Sequence, residues 1–285
     1  MMTFSLIVAT LGRLDVLRDL LKSLEEQTER SFEVIVVDQN PKGFMTGLLN
    51  SNNWSFPIVH VEVPEIRGLS RARNIGIKMA QGDQLIFPDD DCWYPSGFLA
   101  LAKKKMDECQ CDVLTGRAAH FETKEPINGK YPVASTWVDR KNVFSAQIEW
   151  VVCFKKEVIL NVGGYDENIG VGASSPWQST EGPELTVRIL DAGYTVFFCR
   201  EWYGFHEELN VFRPDSAMIR KGRGYARGYG HVVRIRDYSR FFKMMVVIRP
   251  FATLLKAIVQ GNWSRVKYNT HVILGRCEGV LGRVF

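Results

Sequence analysis

Four short apolar runs, each closed by polar or turn-forming residues, constrain the fold more than any other feature of this 285-residue chain. Ser5–Ala9, Phe32–Asp38, Val59–Val63 and Gln84–Phe87 have the length and near-continuous apolar character of buried parallel strands. Between the first two, Leu14, Leu17, Leu20, Leu21 and Leu24 recur at helical spacing and give one apolar stripe. Ser70 opens a second helix carrying Ala72, Ile75, Ile77, Met79 and Ala80, which Gly82 ends. Pro95 begins a third, running to about Glu108. This alternation predicts an α/β fold: a Rossmann-like, mostly parallel central sheet with helices on both faces. Ligands of such sheets sit beyond the carboxyl ends of the strands. Polar residues fall there, with Thr10 and Arg13 after the first strand, Asp38 ending the second and Asp89, Asp90 and Asp91 after the fourth.

Composition narrows the class. Apolar residues make up 46% and charged residues 24%, as in a globular protein. The longest apolar stretch, 244–260, carries Arg249, Pro250 and Lys256, whereas a membrane span needs about 20 nearly uncharged residues. Met1–Thr10 lacks a basic start and a cleavage site, so it reads as a strand and not as a signal peptide. Six scattered cysteines show no zinc spacing and read as reduced cytosolic thiols. Asn53-Trp-Ser55 and Asn262-Trp-Ser264 are then chance glycosylation matches. The net charge of +4 hides an asymmetry. Residues 220–285 hold 14 of the 36 Lys and Arg against Asp237 and Glu278, a local balance of +12. The expected organisation is a sheet domain over 1–215 and a basic, amphipathic helical extension over 216–285.

Three consecutive aspartates after a buried strand are costly unless something neutralises them. In a tight turn, Asp89 and Asp91 can point the same way and make an oxygen-rich site for Mg²⁺ or Mn²⁺. A solvated acidic turn leading into the next helix is the other reading.

The order of motifs resembles family 2 glycosyltransferases of the GT-A fold. The residues that carry it are Leu6-Ile-Val-Ala-Thr-Leu-Gly-Arg13, Leu20-x-x-Ser-Leu-x-x-Gln27, Val34-Ile-Val-Val-Asp38, Gly68-Leu-Ser-Arg-Ala-Arg-Asn-x-Gly76 and Gly82-Asp-x-Leu-Ile-Phe-x-Asp-Asp-Asp91. Val162-Gly-Gly-Tyr-Asp-Glu167, Glu181-x-x-Glu-Leu-x-x-Arg188, Ala192-Gly-Tyr194 and His206 continue it to about residue 210. The resemblance implies an inverting, metal-dependent hexosyltransferase acting on a nucleotide-diphosphate sugar, with a UDP-sugar as the expected donor. It places Asp38 against the base. Thr10, Arg13, Arg73, Asn74, Asp89 and Asp90 then lie on base, ribose or phosphate, and Asp89, Asp91 and His206 around Mn²⁺ or Mg²⁺.

The base of such enzymes lies in a Glu-Asp pair at a helix start, where this chain has Glu181-Gly182 followed by Glu184. Glu181 is the expected base and Glu184 the alternative. Gly182 departs from the pattern and keeps open a non-catalytic, sugar-nucleotide-binding scaffold. A nucleotidyltransferase on a related fold is disfavoured, because Ala9-Thr-Leu-Gly-Arg13 has a single glycine. Trp93, Trp150, Trp177 and Trp202 are candidates for an acceptor cleft or for core packing. Trp177 leads them because Gly170–Pro176, just before it, reads as a mobile loop.

Arg220–Gly230 mixes arginine, glycine and tyrosine, but neither a dinucleotide fingerprint nor an RNA-binding segment fits its spacing and length, and no nucleic-acid partner is expected. From Arg240 onward, apolar faces edged by Lys and Arg suit helices lying on an anionic membrane or packing on a second subunit. The ending Leu274–Gly282 resembles the tails of bacterial enzymes acting on lipid-linked glycans. A cytoplasmic protein held at the inner face of the membrane, building O-antigen, capsule or a related polymer, is the resulting expectation.

Overall fold

The computed structural model describes residues 3–51, 54–208 and 212–285; Asn53, of the first glycosylation match, lies outside them. The chain divides into two compact units. The first comprises Met1–Arg67, Arg71–Tyr165 and Leu185–Glu208. The second comprises Gly68–Ser70, Asp166–Glu184 and Leu209–Phe285, so a segment expected in the sheet domain clusters instead with the C-terminal residues.

The elements follow the order β1 (Phe4–Thr10), α1 (Leu14–Glu25), β2 (Phe32–Asp38), α2 (Thr46–Ser51), β3 (Ile58–Glu62), α3 (Leu69–Met79), β4 (Gln84–Ile86) and α4 (Phe98–Cys109). They continue with β5 (Val113–Ala119), β6 (Thr136–Trp137), β7 (Val152–Lys155), α5 (Lys156–Asn161), α6 (Glu181–Asp191) and β8 (Val196–Phe205). Three helices close the chain: α7 (Ser216–Ile235), α8 (Arg240–Val259) and α9 (Trp263–Leu281).

The first unit is built on an eight-stranded sheet of order β3-β2-β1-β4-β7-β5-β8-β6. β1, β2, β3 and β4 pair in parallel, as do β5 and β8, while β7 runs antiparallel between β4 and β5. β2 is buried along all seven residues, which explains its lack of alternation. The α1 stripe of Leu17, Leu20, Leu21 and Leu24 packs into the core with Leu6, Val8, Val34 and Val36. A Cβ on Gly76 of α3 would meet the Ile7 side chain at 2.2 Å, so glycine sets that close helix-to-sheet approach. α4 starts three residues after Pro95, because the Phe98 amide first closes a turn onto the Pro95 carbonyl.

Strands β5 to β7 lie where the sequence carries no clear alternation. β5 is polar in the middle yet fully buried. Thr115 donates to the Ala146 carbonyl and Arg117 Nε to the Arg200 carbonyl, which satisfies those groups without water.

In the second unit the helices are capped by side chains of Asp215, Ser239 and Asn262, each accepting from a first-turn amide. α7 and α9 pack through small residues. A Cβ on Gly275 would lie 2.3 Å from the Arg223 carbonyl oxygen, and one on Gly279 would lie 2.2 Å from that of Arg227. Of the Arg220–Gly230 glycines, Gly222 and Gly230 face α9, where a Cβ would meet the Tyr268 ring at 2.5 Å and the Arg276 carbonyl oxygen at 2.6 Å, while Gly228 lies against the Ser179 backbone. Buried Glu278 of α9 is held between Arg223 and Arg227 of α7. Among the described residues no helix is long and apolar enough to cross a membrane.

Candidate active site

The strand order reverses at β1. β2 and β3 extend to one side and β4 lies on the other. A crevice at such a switch point is where open α/β sheets bind ligands. The loops after β1 and β4 meet there. Thr10 closes β1 and donates its hydroxyl to Asp90 Oδ2 at 2.8 Å. Arg13 Nη1 reaches Asp90 Oδ1 at 3.0 Å and Asp91 Oδ2 at 2.5 Å. The far end of the sheet contributes His206. Trp93 and Phe205 exchange both backbone hydrogen bonds, which pins the loop after β4 to the end of β8. The next residue, His206, then places Nε2 3.3 Å from Asp91 Oδ1. Arg13, Asp91, Trp93, His206 and Glu207 line a cavity of about 580 Å³.

The three aspartates have separate environments. Asp89 faces Arg73, 3.2 Å away, rather than the Asp91–His206 pair. Arg73 is buried, also contacts Glu149 at 3.2 Å, and lies over the rings of Phe87 and Tyr165. Burial pushes the Asp89 carboxyl up to about 6, with Arg73 opposing and the neighbouring carboxylates reinforcing the shift. Burial also raises Asp90, against the bonds from Thr10 and Arg13. For Asp91 burial acts upward, but the His206 bond, His206 charge and Arg13 together bring it below the usual range. The bond to Asp91 raises His206 in turn, against burial.

Asp91 and His206 are a carboxylate and an imidazole on a cavity wall, a donor pair that fits Mn²⁺ or Mg²⁺ with positions left for phosphate oxygens. Asp38 forms a second cluster. It is fully buried and accepts from the Asn40 amide at 2.9 Å and from Asn40 Nδ2 at 2.8 Å, and its Oδ2 lies 3.0 Å from His60 Nε2. Among the described residues, Asp38, His60 and Glu62 are the group of three whose ligand atoms lie within 4.8 Å of one another. His60 and Glu62 were not singled out from sequence. Their signal was His60-x-Glu62 on a strand, since β3 sets Glu62 beside Asp38 in the parallel register.

Asn74 donates Nδ2 to the Tyr165 carbonyl and accepts from the Tyr165 amide, both at 2.9 Å. Trp202 is core: it is fully buried, stacks on Phe98 at 4.6 Å and donates to the Phe98 carbonyl. Trp150 is buried too, while half-buried Trp93 reaches the cavity.

The remaining candidates belong to the second unit. Glu181 and Glu184 sit in the first turn of α6 and are both buried. Glu184 pairs with Arg236, which caps the C-terminal end of α7. The Glu181 carboxyl lies against Gly170, whose φ of +118° and lack of a Cβ make room for it. Trp177 stacks on His231 with ring centroids 4.0 Å apart. Gly170–Pro176 is tied down by Gln178, which accepts from the Gly172 amide and donates to the Ala173 and Ser175 carbonyls.

The family model "Glycosyl transferase family 2" matches residues 5–155, which span β1 to β7 and all three aspartates. The chain belongs to glycosyl transferase family 2. This glycosyltransferase is 24% identical over 251 residues to an uncharacterized glycosyltransferase of Haemophilus influenzae, covering 84% of this chain and 80% of that one. It is 26% identical over 216 residues to the glucosyl-dolichyl phosphate glucuronosyltransferase of Haloferax volcanii, covering 67% and 64% respectively. Among solved structures, the mannosyltransferase of Pyrobaculum calidifontis in complex with GDP-Man and Mn²⁺ aligns at a TM-score of 0.69 and 16% identity, over 98% of this chain and 87% of that one. S. aureus TarS in complex with UDP-GlcNAc aligns at 0.58 and 15% identity, over 99% and 93%. In another TarS structure this chain covers 55% of the length. These likenesses establish the GT-A fold.

Proposed function

We propose that this family 2 glycosyltransferase moves a sugar, with inversion, from a UDP-sugar to a glycan or lipid-linked glycan in the assembly of a bacterial surface polysaccharide such as O-antigen or capsule. The observation that carries the donor half is the meeting of Thr10, Arg13, Asp90, Asp91 and His206 at the switch point of the sheet. A guanidinium there suits phosphate, and buried Asp38 is the proposed acceptor of a base N–H. Asp89 and Asp90 are proposed for the ribose and diphosphate side, with Arg73 and Asn74 supporting that edge.

Asp91 and His206 are the residues that would hold a divalent cation. When bound, such an ion neutralises charge on the departing diphosphate. The acceptor hydroxyl oxygen forms the new bond to the anomeric carbon as that carbon's bond to the diphosphate breaks, and the hydroxyl proton goes to a carboxylate. Glu181 is the proposed base, with Glu184, which pairs with Arg236, as the alternative. Trp177, with one face on His231, is the proposed acceptor contact. A lipid-linked acceptor fits a chain working at the inner face of the cell membrane.

Calorimetric titration with UDP in Mn²⁺, then in EDTA, tests the donor half. Binding is expected to require both the ion and Asp91, and to vanish in Asp91→Ala. Glu181→Gln is expected to keep UDP binding while transfer falls by about 10²–10⁴-fold. Absence of UDP binding under every condition rejects the uridine donor, and unchanged transfer in Glu181→Gln rejects the base.

A further inference from the structure

Helix α8 carries two apolar stripes on opposite sides. Val246, Pro250 and Ala257, all buried, form the first, at helical spacing. It faces α9, where Arg276 donates to the Val246 carbonyl and Asn269 bonds Thr253. The second consists of Phe241, Met244, Ile248, Phe251, Leu255 and Ile258, all exposed, at strict three-four spacing. At 3.6 residues per turn the two stripes lie about half a turn apart. Phe241 is 68% exposed and Leu255 62%. Val259, the last residue of α8, is 88% exposed, and Trp263, which opens α9, is 72% exposed. Isolated exposed apolar residues need no explanation, but a continuous stripe of this length does.

The charge around the stripe identifies what covers it. On the helical wheel Arg240 and Lys243 flank one edge, and Arg249 and Lys256 the other. No acidic residue occurs from Tyr238 to Cys277, whereas Arg240, Lys243, Arg249, Lys256, Arg265, Lys267 and Arg276 do. A second copy docked through this stripe would bring like charges together without a compensating acid. An anionic lipid surface offers both complements at once: acyl chains for the stripe, and headgroup charge for the long basic side chains at its edges. Trp263, at the start of α9 just after α8, suits the same interface.

We propose that α8 is a membrane-surface element, lying in the plane of an anionic leaflet with Phe241, Met244, Ile248, Phe251, Leu255 and Ile258 toward the acyl chains. The proposal is independent of which sugar or nucleotide the enzyme uses. Arg249 and Lys256 set the preference for anionic over neutral lipid, and the apolar stripe sets the depth.

Cosedimentation of the full chain with sucrose-loaded vesicles tests this. Vesicles of phosphatidylcholine with phosphatidylglycerol are compared with phosphatidylcholine alone, at low and high salt. The chain is expected to sediment with the anionic vesicles only, and less so in high salt. Phe241→Ser combined with Leu255→Ser is expected to weaken binding on the order of tenfold or more, and Arg249→Gln with Lys256→Gln by about tenfold. Because these side chains are exposed, thermal unfolding of the variants should match the parent. Failure to bind anionic vesicles overturns the proposal, as does undiminished binding by the apolar variant. A concentration-dependent dimer in sedimentation equilibrium that the apolar variant dissolves overturns it in favour of a second copy.

Discussion

Asp89 and Asp91 are two positions apart, and the structure gives them different partners. Asp89 meets a buried arginine, while Asp91 meets a histidine on a cavity wall. Local sequence places carboxylates after a strand, but it does not choose which cation each one meets. Glu278 shows how strongly such a choice bears on stability. It is fully buried, and burial alone would raise its carboxyl. The bonds from Arg223, the Phe285 amide and Arg227 outweigh burial and hold it down at about 2. A carboxyl depressed in the fold stabilises it above its ordinary value of 4.5, and that contribution is lost as pH falls from there toward 2. Glu278→Gln is therefore expected to cost about 3 kcal/mol at pH 7, read by denaturant unfolding, because two half-buried arginines lose their counter-ion. The gap between parent and variant should narrow steadily below about pH 4.5. His231 adds to the acid sensitivity. Burial, and then Arg234, lower it to about 4, so the fold requires it neutral and loses stability as pH falls from 6.5 toward 4.

At the scale of elements, the glycines of α7 and α9 decide how closely two helices approach. Glycine within a helix is unfavourable by about 1 kcal/mol against alanine, so an exposed helical glycine is improved by substitution. Here the reverse holds. A Cβ on Gly279 would lie 2.2 Å from the Arg227 carbonyl oxygen and 2.5 Å from the His231 nitrogen, both backbone atoms that cannot swing away. Gly279→Ala is expected to destabilise by more than about 2 kcal/mol, seen as a fall in Tm of several degrees. Gly97→Ala, where a Cβ meets nothing within 4 Å, is the control and should stay within about 0.5 kcal/mol. The same reasoning explains β5. Its Gly116 admits the Trp202 backbone at a distance no side chain allows, and its Thr115 and Arg117 are satisfied by loop and strand carbonyls. A strand stabilised by such distant partners has no periodic pattern of its own.

At the scale of the molecule, the basic excess of residues 220–285 belongs to one compact unit and the strand-end aspartates to the other. Ligand linkage should be visible in the intact chain. With UDP and Mn²⁺ at about 100 times their dissociation constant, stabilisation of about 2.7 kcal/mol is expected, or several degrees in Tm by scanning calorimetry. EDTA should abolish the shift, and so should Asp91→Ala.

The sequence by itself determined the strands β1 to β4, the helices α1 and α3 between them, and the placing of Thr10, Arg13, Asp38 and Asp89–Asp91 at one sheet edge. Those features follow from periodicity and chain order, which are local properties. It also carried the family motifs and the basic tail. The tertiary structure alone decided that Asp89 turns to Arg73, that His60 and Glu62 join Asp38, and that Trp202 belongs to the core. It also decided that one face of α8 is packed and the other open. Each of these depends on residues far apart in the chain, which meet through strand register and close packing rather than through spacing.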